Sequence, residues 1–494
     1  MNYSAIRNII GKILILSGIL MLFPLAVSFI YQESLQHKLA YVIPICCAIL
    51  LGKVLSFKKT KSMKIQAREG FVIVGCTWIV MSLVGCLPLL LSGEFTNFFD
   101  AFFEIVSGFT TTGASTVTDV YQISNSILFW RSFAHWIGGM GVLVFILAII
   151  PESKDGSSMH ILRAESPGPQ VGKLVSKMRV TSRILYIIYF TLTVILVLFL
   201  YFGQKVFAPE DNQMNLFQVI VYSLGTAGTG GLAIDPYSLE YYSSFAQYTI
   251  GAFMFIFGIN FQLYYFLLIG NIKDILKNEE LRSYILIVIV AILIIFFNVS
   301  SLYNTYEEAF RHSFFQVGTI ISTTGYSTQN FVEWPTLSKF VIIFLMFTGA
   351  CAGSTAGGMK ICRFNVLFKS TIRKIKNMLS PRKVEVIKVD GNVVNEDYIE
   401  GVQEFFIVYI FIWLVCAFLI SFDNFGDIET NLTASLACIS NIGPGLAKVG
   451  PYGGYAGYSN FSKFILSIEM IAGRLELFPI LIMFAPKTWR KRIA

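Results

Sequence analysis

Ten long apolar stretches dominate this chain and restrict the folds open to it. Each is about 20 residues long, the length that an α-helix needs to cross a bilayer. Of the 494 residues, 55% are hydrophobic and 14% are charged, whereas soluble domains carry about 25% charged residues. A water-soluble enzyme, a disordered tail and a secreted disulfide scaffold are therefore excluded, and we predict an all-α integral membrane protein. The predicted spans are 13–31, 40–56, 71–92, 127–150, 184–203, 246–270, 283–299, 338–362, 403–421 and 464–484.

The charged residues between these stretches indicate the orientation. Lysines and arginines cluster after the second, fourth, sixth, eighth and tenth stretches, and the opposite loops are mildly acidic. Under the positive-inside rule, both termini are cytoplasmic. The net charge of +8 is distributed over these loops, so it forms no face for nucleic acid. The first stretch is too long for the apolar part of a signal peptide, and we expect it to remain as a span.

Four outer loops share a pattern, in which a short apolar stretch precedes a glycine-rich turn. They read AFFEIVSGFTTTGAST from Ala101, FQVIVYSLGTAGTGGLA from Phe217, SFFQVGTIISTTGYST from Ser313 and NLTASLACISNIGPGLA from Asn431. A short helix that ends in glycine is typical of a re-entrant hairpin, which must line a cavity or be buried in protein. We align the turns on Gly113, Gly230, Gly325 and Gly443. The sequence thus predicts four span, pore-helix, span repeats around a central pore, behind two leading helices, with boundaries 1–68, 69–180, 181–282, 283–400 and 401–494.

Four glycine turns around one axis suit a monovalent cation. Backbone carbonyl oxygens can replace the hydration shell of such an ion, and glycine allows positive φ without placing a side chain in the pore. The short helices direct the partial negative charge of their C-terminal ends to the same point. One such turn also serves close helix packing, but four in equivalent positions favour an ion filter. The predicted ion-binding residues are Thr111, Thr112, Gly113, Thr229, Gly230, Thr323, Thr324, Gly325, Asn441, Ile442 and Gly443.

Four strings carry a family resemblance. They are DAFFEIVSGFTTTGAST from Asp100, WIGGMG from Trp136, GACAGSTAGGMK from Gly349 and NIGPGL from Asn441. In this order they resemble the TrkH-type membrane subunits of the Trk/Ktr/HKT superfamily of potassium transporters, from about residue 70 to the end. The two leading spans fit the TrkH branch. The second turn departs from the pattern, because Ala227, Gly228 and Thr229 replace the threonine pair of turns one and three, which leaves its filter residue open.

The resemblance implies potassium uptake across the cytoplasmic (inner) membrane of a bacterium. K⁺ is then the transported and bound ion, and this chain needs no organic cofactor. The resemblance also implies a homodimer and a cytosolic nucleotide-binding subunit of the TrkA type that gates the pore. The basic loops at 53–68 and 363–388 are the predicted surface for that subunit, with contact to lipid headgroups as the alternative.

Small residues fill the middle of the eighth stretch. A glycine there costs a helix about 1 kcal/mol relative to alanine, so the segment is a poor helix. A close-packed helix crossing and an unwound intramembrane loop both fit, and the resemblance implies a loop that gates the pore below the filter. We expect Lys360, just after it, to extend to the cytoplasmic interface. The predicted gate residues are Gly349, Ala350, Cys351, Ala352, Gly353, Ser354, Thr355, Ala356, Gly357, Gly358 and, from the last span, Arg474.

Arg474 lies within an apolar stretch. A charge at the bilayer centre costs about 2.5–3.5 kcal/mol on insertion scales, so such a residue faces a pore or a partner. Glu469 and Glu476 are candidate partners, and a structural ion pair is one interpretation. The resemblance implies the other, in which Arg474 projects into the pore below the filter and opposes cations. We expect His135 and His312 to serve packing or local hydrogen bonds.

Three functions are weighed against these features. The first is a potassium-conducting permease without enzyme chemistry. The second is a sodium-coupled or sodium-permeable relative; in the plant branch a serine at the first filter glycine accompanies sodium preference, and Gly113 here favours potassium. The third is an integral membrane enzyme, which would need Asp, Glu or His clustered near a membrane face. The sequence contains no such cluster.

Overall fold

The computed structural model describes residues 1–57, 67–141, 178–381 and 385–489, which are predominantly helical. One antiparallel hairpin, β1 (Lys388–Val389) with β2 (Asn392–Val393), interrupts the helices in these ranges. Six helical segments of the described chain are long and apolar enough to cross a membrane. The prediction of an all-α membrane fold is confirmed. Residues 142–150 of the predicted fourth span, 58–66 of the first basic loop and 382–384 of the second lie outside the described residues.

Two apolar hairpin arms precede the rest of the fold. α1 (Tyr3–Leu20) and α2 (Leu22–Ile30) form one span, and α3 (Leu35–Ser56) returns beside it. A Cβ on Gly11 would lie 2.7 Å from the carbonyl oxygen of Gly52. These glycines therefore let the two backbones approach closely, which is how helices associate where lipid removes the hydrophobic driving force.

The later helices repeat one order, in which a long helix is followed by a short helix, a turn and a second helix. The first group is α4 (Ala67–Gly85), α5 (Leu87–Leu91), α6 (Phe98–Phe109) and α7 (Asn125–Gly139). The second is α8 (Met178–Phe207), α9 (Leu216–Gly228), α10 (Ser244–Phe257), α11 (Phe261–Leu268) and α12 (Ile272–Lys277). The third is α13 (Glu279–Val299), α14 (Tyr306–Ile321), α15 (Thr336–Thr348) and α16 (Ile361–Leu379). The fourth is α17 (Glu396–Ile420), α18 (Ile428–Ile439), α19 (Asn460–Arg474), α20 (Phe478–Phe484) and α21 (Pro486–Trp489).

Single 3₁₀ turns connect several of these helices, at Val120–Gln122, Ser300–Leu302, Phe331–Glu333, Ser421–Asp423 and Ala447–Val449. The four groups begin within a few residues of the predicted repeat starts at 69, 181, 283 and 401. The residue boundaries of the repeats remain a prediction.

The four short helices, α6, α9, α14 and α18, are the re-entrant helices predicted from the outer loops. Each begins at a polar residue whose side-chain oxygen accepts a hydrogen bond from a backbone amide of the first turn, which satisfies a donor that the helix leaves free. α9 has a full capping box, because Gln218 also bonds back to Asn215. The four capping residues are Asn97, Asn215, Thr305 and Asp427.

Four of the ten predicted spans are broken. α7 ends at Gly139, α15 at Thr348 and α19 at Arg474, and α10 and α11 meet at 90°. The expectation of continuous spans over 127–150, 246–270 and 464–484 is therefore wrong, whereas the break within 338–362 agrees with the unwound loop that the resemblance implied there. Glycine lies at or beside each break, and it weakens a helix without lowering the hydropathy of the whole segment much. All four breaks follow a re-entrant helix in the chain.

Candidate functional site

Each re-entrant helix ends in the same two hydrogen bonds, which fix the register of the turn that follows. After α6, the amide of Thr111 donates to the carbonyl of Gly108 (3.2 Å) and that of Thr112 to Ser107 (2.9 Å). The first residue of each pair is left-handed, with φ between +54° and +58°, as is common where helices end. The other three pairs of donating amides are those of Thr229 and Gly230, Thr323 and Thr324, and Asn441 and Ile442.

This register corrects the second turn. Gly231, and not Gly230, is equivalent to Gly113, Gly325 and Gly443, while Gly230 occupies the position of Thr112. The alignment on Gly230 is therefore wrong by one residue. The sequence contained the signal, because a threonine or asparagine precedes the equivalent glycine by two residues in every turn.

The four equivalent glycines form a closed ring. A Cβ on Gly113 would lie 2.6 Å from the amide nitrogen of Gly231, and one on Gly231 would lie 2.4 Å from the carbonyl oxygen of Thr324. One on Gly325 would lie 2.1 Å from Ile442 O, and one on Gly443 would lie 2.7 Å from Thr112 O. Each turn thus contacts the next with no room for a side chain. The predicted Thr, Asn and Ile residues of the turns are completely buried.

Side chains brace this ring from behind. Asn441 Nδ2 donates to Thr112 Oγ1 (3.0 Å) and to the carbonyl of Met470 (2.9 Å), which joins turns one and four. His135 Nδ1 lies 2.7 Å from the carbonyl of Gly108, and its Nε2 accepts from the amide of Leu232 (3.3 Å). Since Nε2 accepts, Nδ1 carries the proton. His135 therefore links turns one and two, which agrees with the expectation that it serves local hydrogen bonds.

A cavity of about 150 Å³ lies against the ring and is lined by all four ring glycines. Its walls are the segments that follow the turns, including Ser115, Asp235 and Tyr455. Gly230 does not line it, which agrees with the corrected register. The only buried cation on its wall is Arg131, at 2% exposure, among the residues that the structure describes.

Residues 349–360, here called the intramembrane loop, are not helical. The loop folds back on itself, because a Cβ on Gly349 would lie 2.7 Å from the carbonyl oxygen of Gly357. It also contacts the turns: the amide of Gly357 donates to Thr323 Oγ1 (2.7 Å), and a Cβ on Gly357 would lie 2.3 Å from Ser440 O. The interpretation as a helix crossing is therefore wrong, and an unwound loop packs directly against turns three and four.

Arg474 connects this loop to another part of the fold. Its guanidinium donates to the carbonyl of Thr355 in the intramembrane loop (2.8 Å) and to the carbonyls of Gly138 and Gly139 at the end of α7 (2.6 Å each). Carbonyls at a helix C-terminus carry partial negative charge, so these contacts solvate the guanidinium. Of the two carboxylates considered as partners, Glu476 pairs with Arg363 and Glu469 accepts from Ser435 Oγ (2.6 Å).

Two further side chains hold the loop. Glu280, which the sequence analysis missed, accepts from the amides of Ala352 (2.8 Å) and Cys362 (3.0 Å), one at each end of the loop. The feature of the sequence that could have indicated Glu280 is its position, since it is a carboxylate at the start of an apolar stretch. Lys360 is 7% exposed and donates to the carbonyl of Ala356. The expectation that Lys360 extends to the interface is therefore wrong, because the loop supplies its partner.

Comparison with known proteins decides the family. The chain matches the TrkH family, described as cation transport protein, over residues 37–491. The chain belongs to the TrkH family. Trk system potassium uptake protein TrkH of Escherichia coli (strain K12) is 34% identical over 99% of this chain and 100% of that protein. TrkG of the same strain is 30% identical with the same coverage.

A solved structure agrees with this assignment to the TrkH family. The crystal structure of the potassium transporter TrkH from Vibrio parahaemolyticus superposes with a TM-score of 0.87 at 29% identity. The superposition covers 99% of this chain and 100% of that one. The predicted family and fold class are confirmed.

Proposed function

We propose that this TrkH-family chain takes up potassium ions across the cytoplasmic membrane of a bacterium. Its relatives are named as potassium uptake proteins. The observation that carries the proposal is the closed ring of Gly113, Gly231, Gly325 and Gly443, with a re-entrant helix ending at each turn. Four helix C-termini around one point make a site of negative potential without any carboxylate. Such a site suits a monovalent cation.

The four turns serve as the selectivity filter in this proposal. Backbone carbonyls are the ligands, because the side chains of Thr112 and Asn441 are bonded to each other and Thr323 Oγ1 accepts from the intramembrane loop. The proposed ion-binding set is the predicted one with Gly231 added. The glycine at position 113 favours a potassium-selective filter over a sodium-permeable one, and the proposed transport requires no enzyme chemistry.

The intramembrane loop and Arg474 serve as the gate. The loop packs against turns three and four, so an ion that leaves the filter on that side meets it first. A loop rich in glycine has few side chains to hold one conformation, which suits a switch between two arrangements. The guanidinium of Arg474 adds a positive charge to the same barrier.

The chain should restore growth of a potassium-uptake-deficient bacterium at low external potassium. The purified chain in liposomes should carry K⁺ faster than Na⁺ without any organic substrate. Gly325→Ala is the matched inactive control, because φ is +92° and the new Cβ would lie 2.1 Å from Ile442 O. Equal K⁺ and Na⁺ flux, or no flux at all from folded protein, would contradict the proposal.

A homodimer with both termini cytoplasmic, regulated by a nucleotide-binding subunit of the TrkA type, completes the proposal. The basic surface of α16 is the proposed docking region for that subunit. Arg373 pairs there with Glu396, and Lys376 lies 3.6 Å from Glu385, while Lys374 is exposed. Two of these three cations are thus paired within the chain, and Lys374 is the cation most available to a partner.

Charge reversal on this surface should weaken binding of the regulatory subunit. We expect Lys374→Glu combined with Arg373→Glu to reduce its co-purification, since the second change also repels Glu396. The control is Lys205→Glu, at the exposed end of α8. Undiminished co-purification of the double variant would instead assign the surface to lipid headgroups.

A further inference from the structure

One position on the re-entrant helices differs in charge from its three equivalents. Nine residues before the ring glycines stand Glu104, Tyr222, Gln316 and Ala434. Three of them bond to the segment that follows their own turn: Tyr222 Oη donates to Asp235 (3.0 Å), Gln316 Nε2 donates to Ser327 Oγ (2.8 Å), and Glu104 accepts from Ser115 Oγ (2.9 Å). In these three groups the side chain joins the re-entrant helix to the segment that follows its turn, and we call this contact a brace. Only in the first group is the residue on the re-entrant helix itself charged; in the second group the carboxylate is that of Asp235, on the segment after the turn.

Glu104 makes an unusually dense set of contacts. Its carboxylate is 0% exposed and accepts from Ser115 Oγ, from the amide of Thr116 (2.9 Å) and from Thr116 Oγ1 (3.2 Å). It also pairs with Arg131 on α7, with 2.7 Å between Oε1 and Nη2. Ser115 and Thr116 follow directly after Gly113, so the carboxylate holds the exit of turn one.

Arg131 faces the cavity against the ring. It lines that cavity beside Gly113 and Ser115, and its Nη2 also donates to Ser115 Oγ (3.3 Å). Nε and Nη1 of Arg131 have no hydrogen-bond partner among the described residues. A guanidinium on the wall of a cation pathway repels the ion, and Glu104 is the charge that offsets it. A buried ion pair stays favourable only while both members and their other hydrogen bonds are present.

We propose that Glu104, with Arg131 as its counter-ion, is a positioning residue that sets ion selectivity at turn one. The inference rests on the proposed potassium function. The pair fixes Ser115 and Thr116, and through them the carbonyl of Gly113, at the spacing that K⁺ requires. At turn two the carboxylate of the brace, Asp235, accepts from two tyrosine hydroxyls, and the brace of turn three is neutral. Among the described residues, turn one is therefore the turn whose brace includes an ion pair.

Glu104→Gln tests the proposal with an isosteric change. The amide offers one acceptor oxygen where the carboxylate offered two, so its NH₂ must face a donor, either Arg131 Nη2 or the Thr116 amide. We expect the K⁺/Na⁺ permeability ratio in liposomes to fall by about fivefold or more, the low end of coupling between separate sites. Arg131→Lys keeps the charge but loses the planar fork, and it should lower the ratio less. Glu94→Gln is the control, a carboxylate bonded to Ser124 and His37 in the loop before α6.

The double variant Glu104→Gln with Arg131→Met supplies a readout that general destabilisation would not produce. Without the guanidinium, the amide oxygen can face Ser115 and Thr116, and the ratio should recover in part although two native side chains are lost. Wild-type protein that does not prefer K⁺ would overturn the proposed function itself. A selective wild type with unchanged ratios in Glu104→Gln and Arg131→Lys would overturn this inference alone. If Glu104→Gln does not fold, Arg131→Lys decides.

Discussion

Replacing Arg474 by alanine is expected to raise the basal potassium flux of the purified chain by about tenfold or more. A positive charge in the pathway contributes at least 1–2 kcal/mol of barrier at an effective dielectric constant near 20, and about 1.4 kcal/mol corresponds to a factor of ten in rate. The change also removes the hydrogen bonds through which the guanidinium joins Thr355 of the intramembrane loop to the end of α7. The measurement is K⁺ efflux from liposomes without a regulatory subunit.

Two further variants separate charge from tethering. Arg474→Lys keeps the charge on three donors and should raise flux by less than about threefold. Arg282→Ala removes an exposed arginine at the start of α13 and should change nothing. If folded Arg474→Ala conducts no faster than wild type, Arg474 is a packing residue and the gate assignment fails.

Gly113→Ser is expected to lower the K⁺/Na⁺ permeability ratio by about tenfold, the factor that 1.4 kcal/mol of altered ion binding produces. Gly113 has φ +82°, and a Cβ would lie 2.6 Å from the amide nitrogen of Gly231. Serine therefore strains turn one and pushes turn two away, which disturbs the carbonyl spacing. Reversal potentials under K⁺ and Na⁺ gradients measure the ratio.

The matched control for this serine is Gly401→Ser in α17. A Cβ there meets nothing within 4 Å, so folding and selectivity should both stay at wild-type levels. An unchanged ratio in Gly113→Ser, with normal protein levels, would show that the carbonyl of Gly113 is not an ion ligand.

The sequence predicted those parts of the fold that depend on local composition. Six apolar stretches lie in helical segments long enough to cross a membrane, and four outer segments are short helices with polar caps, because span length and cap chemistry are local properties. Glycine density also disfavours a helix in the intramembrane loop, but it left a close-packed helix crossing open as the alternative. Family resemblance, and not composition, selected the loop over a helix crossing.

The errors concern contacts between distant segments. The alignment on Gly230 is one residue off because adjacent glycines cannot be told apart by residue type, and the hydrogen bonds at the helix end set the register. The expectation that Lys360 lies at the interface is wrong because its partner, the carbonyl of Ala356, becomes available only when the loop unwinds. Glu104, Glu280 and Arg131 contact backbone amides and side chains of other segments, and the periodicity of the sequence does not reveal such contacts.

The three carbonyls around Arg474 differ in how they are held. Two belong to α7, which packs with α6 and α9, and one belongs to the non-helical intramembrane loop. A displacement of the loop would break the Thr355 contact and leave the other two intact. In the proposed gate, Arg474 therefore stays in place while the loop moves, and its charge remains in the pathway in both arrangements. Opening would then widen the passage without neutralising it, so an ion would still cross one residual electrostatic step on every transit.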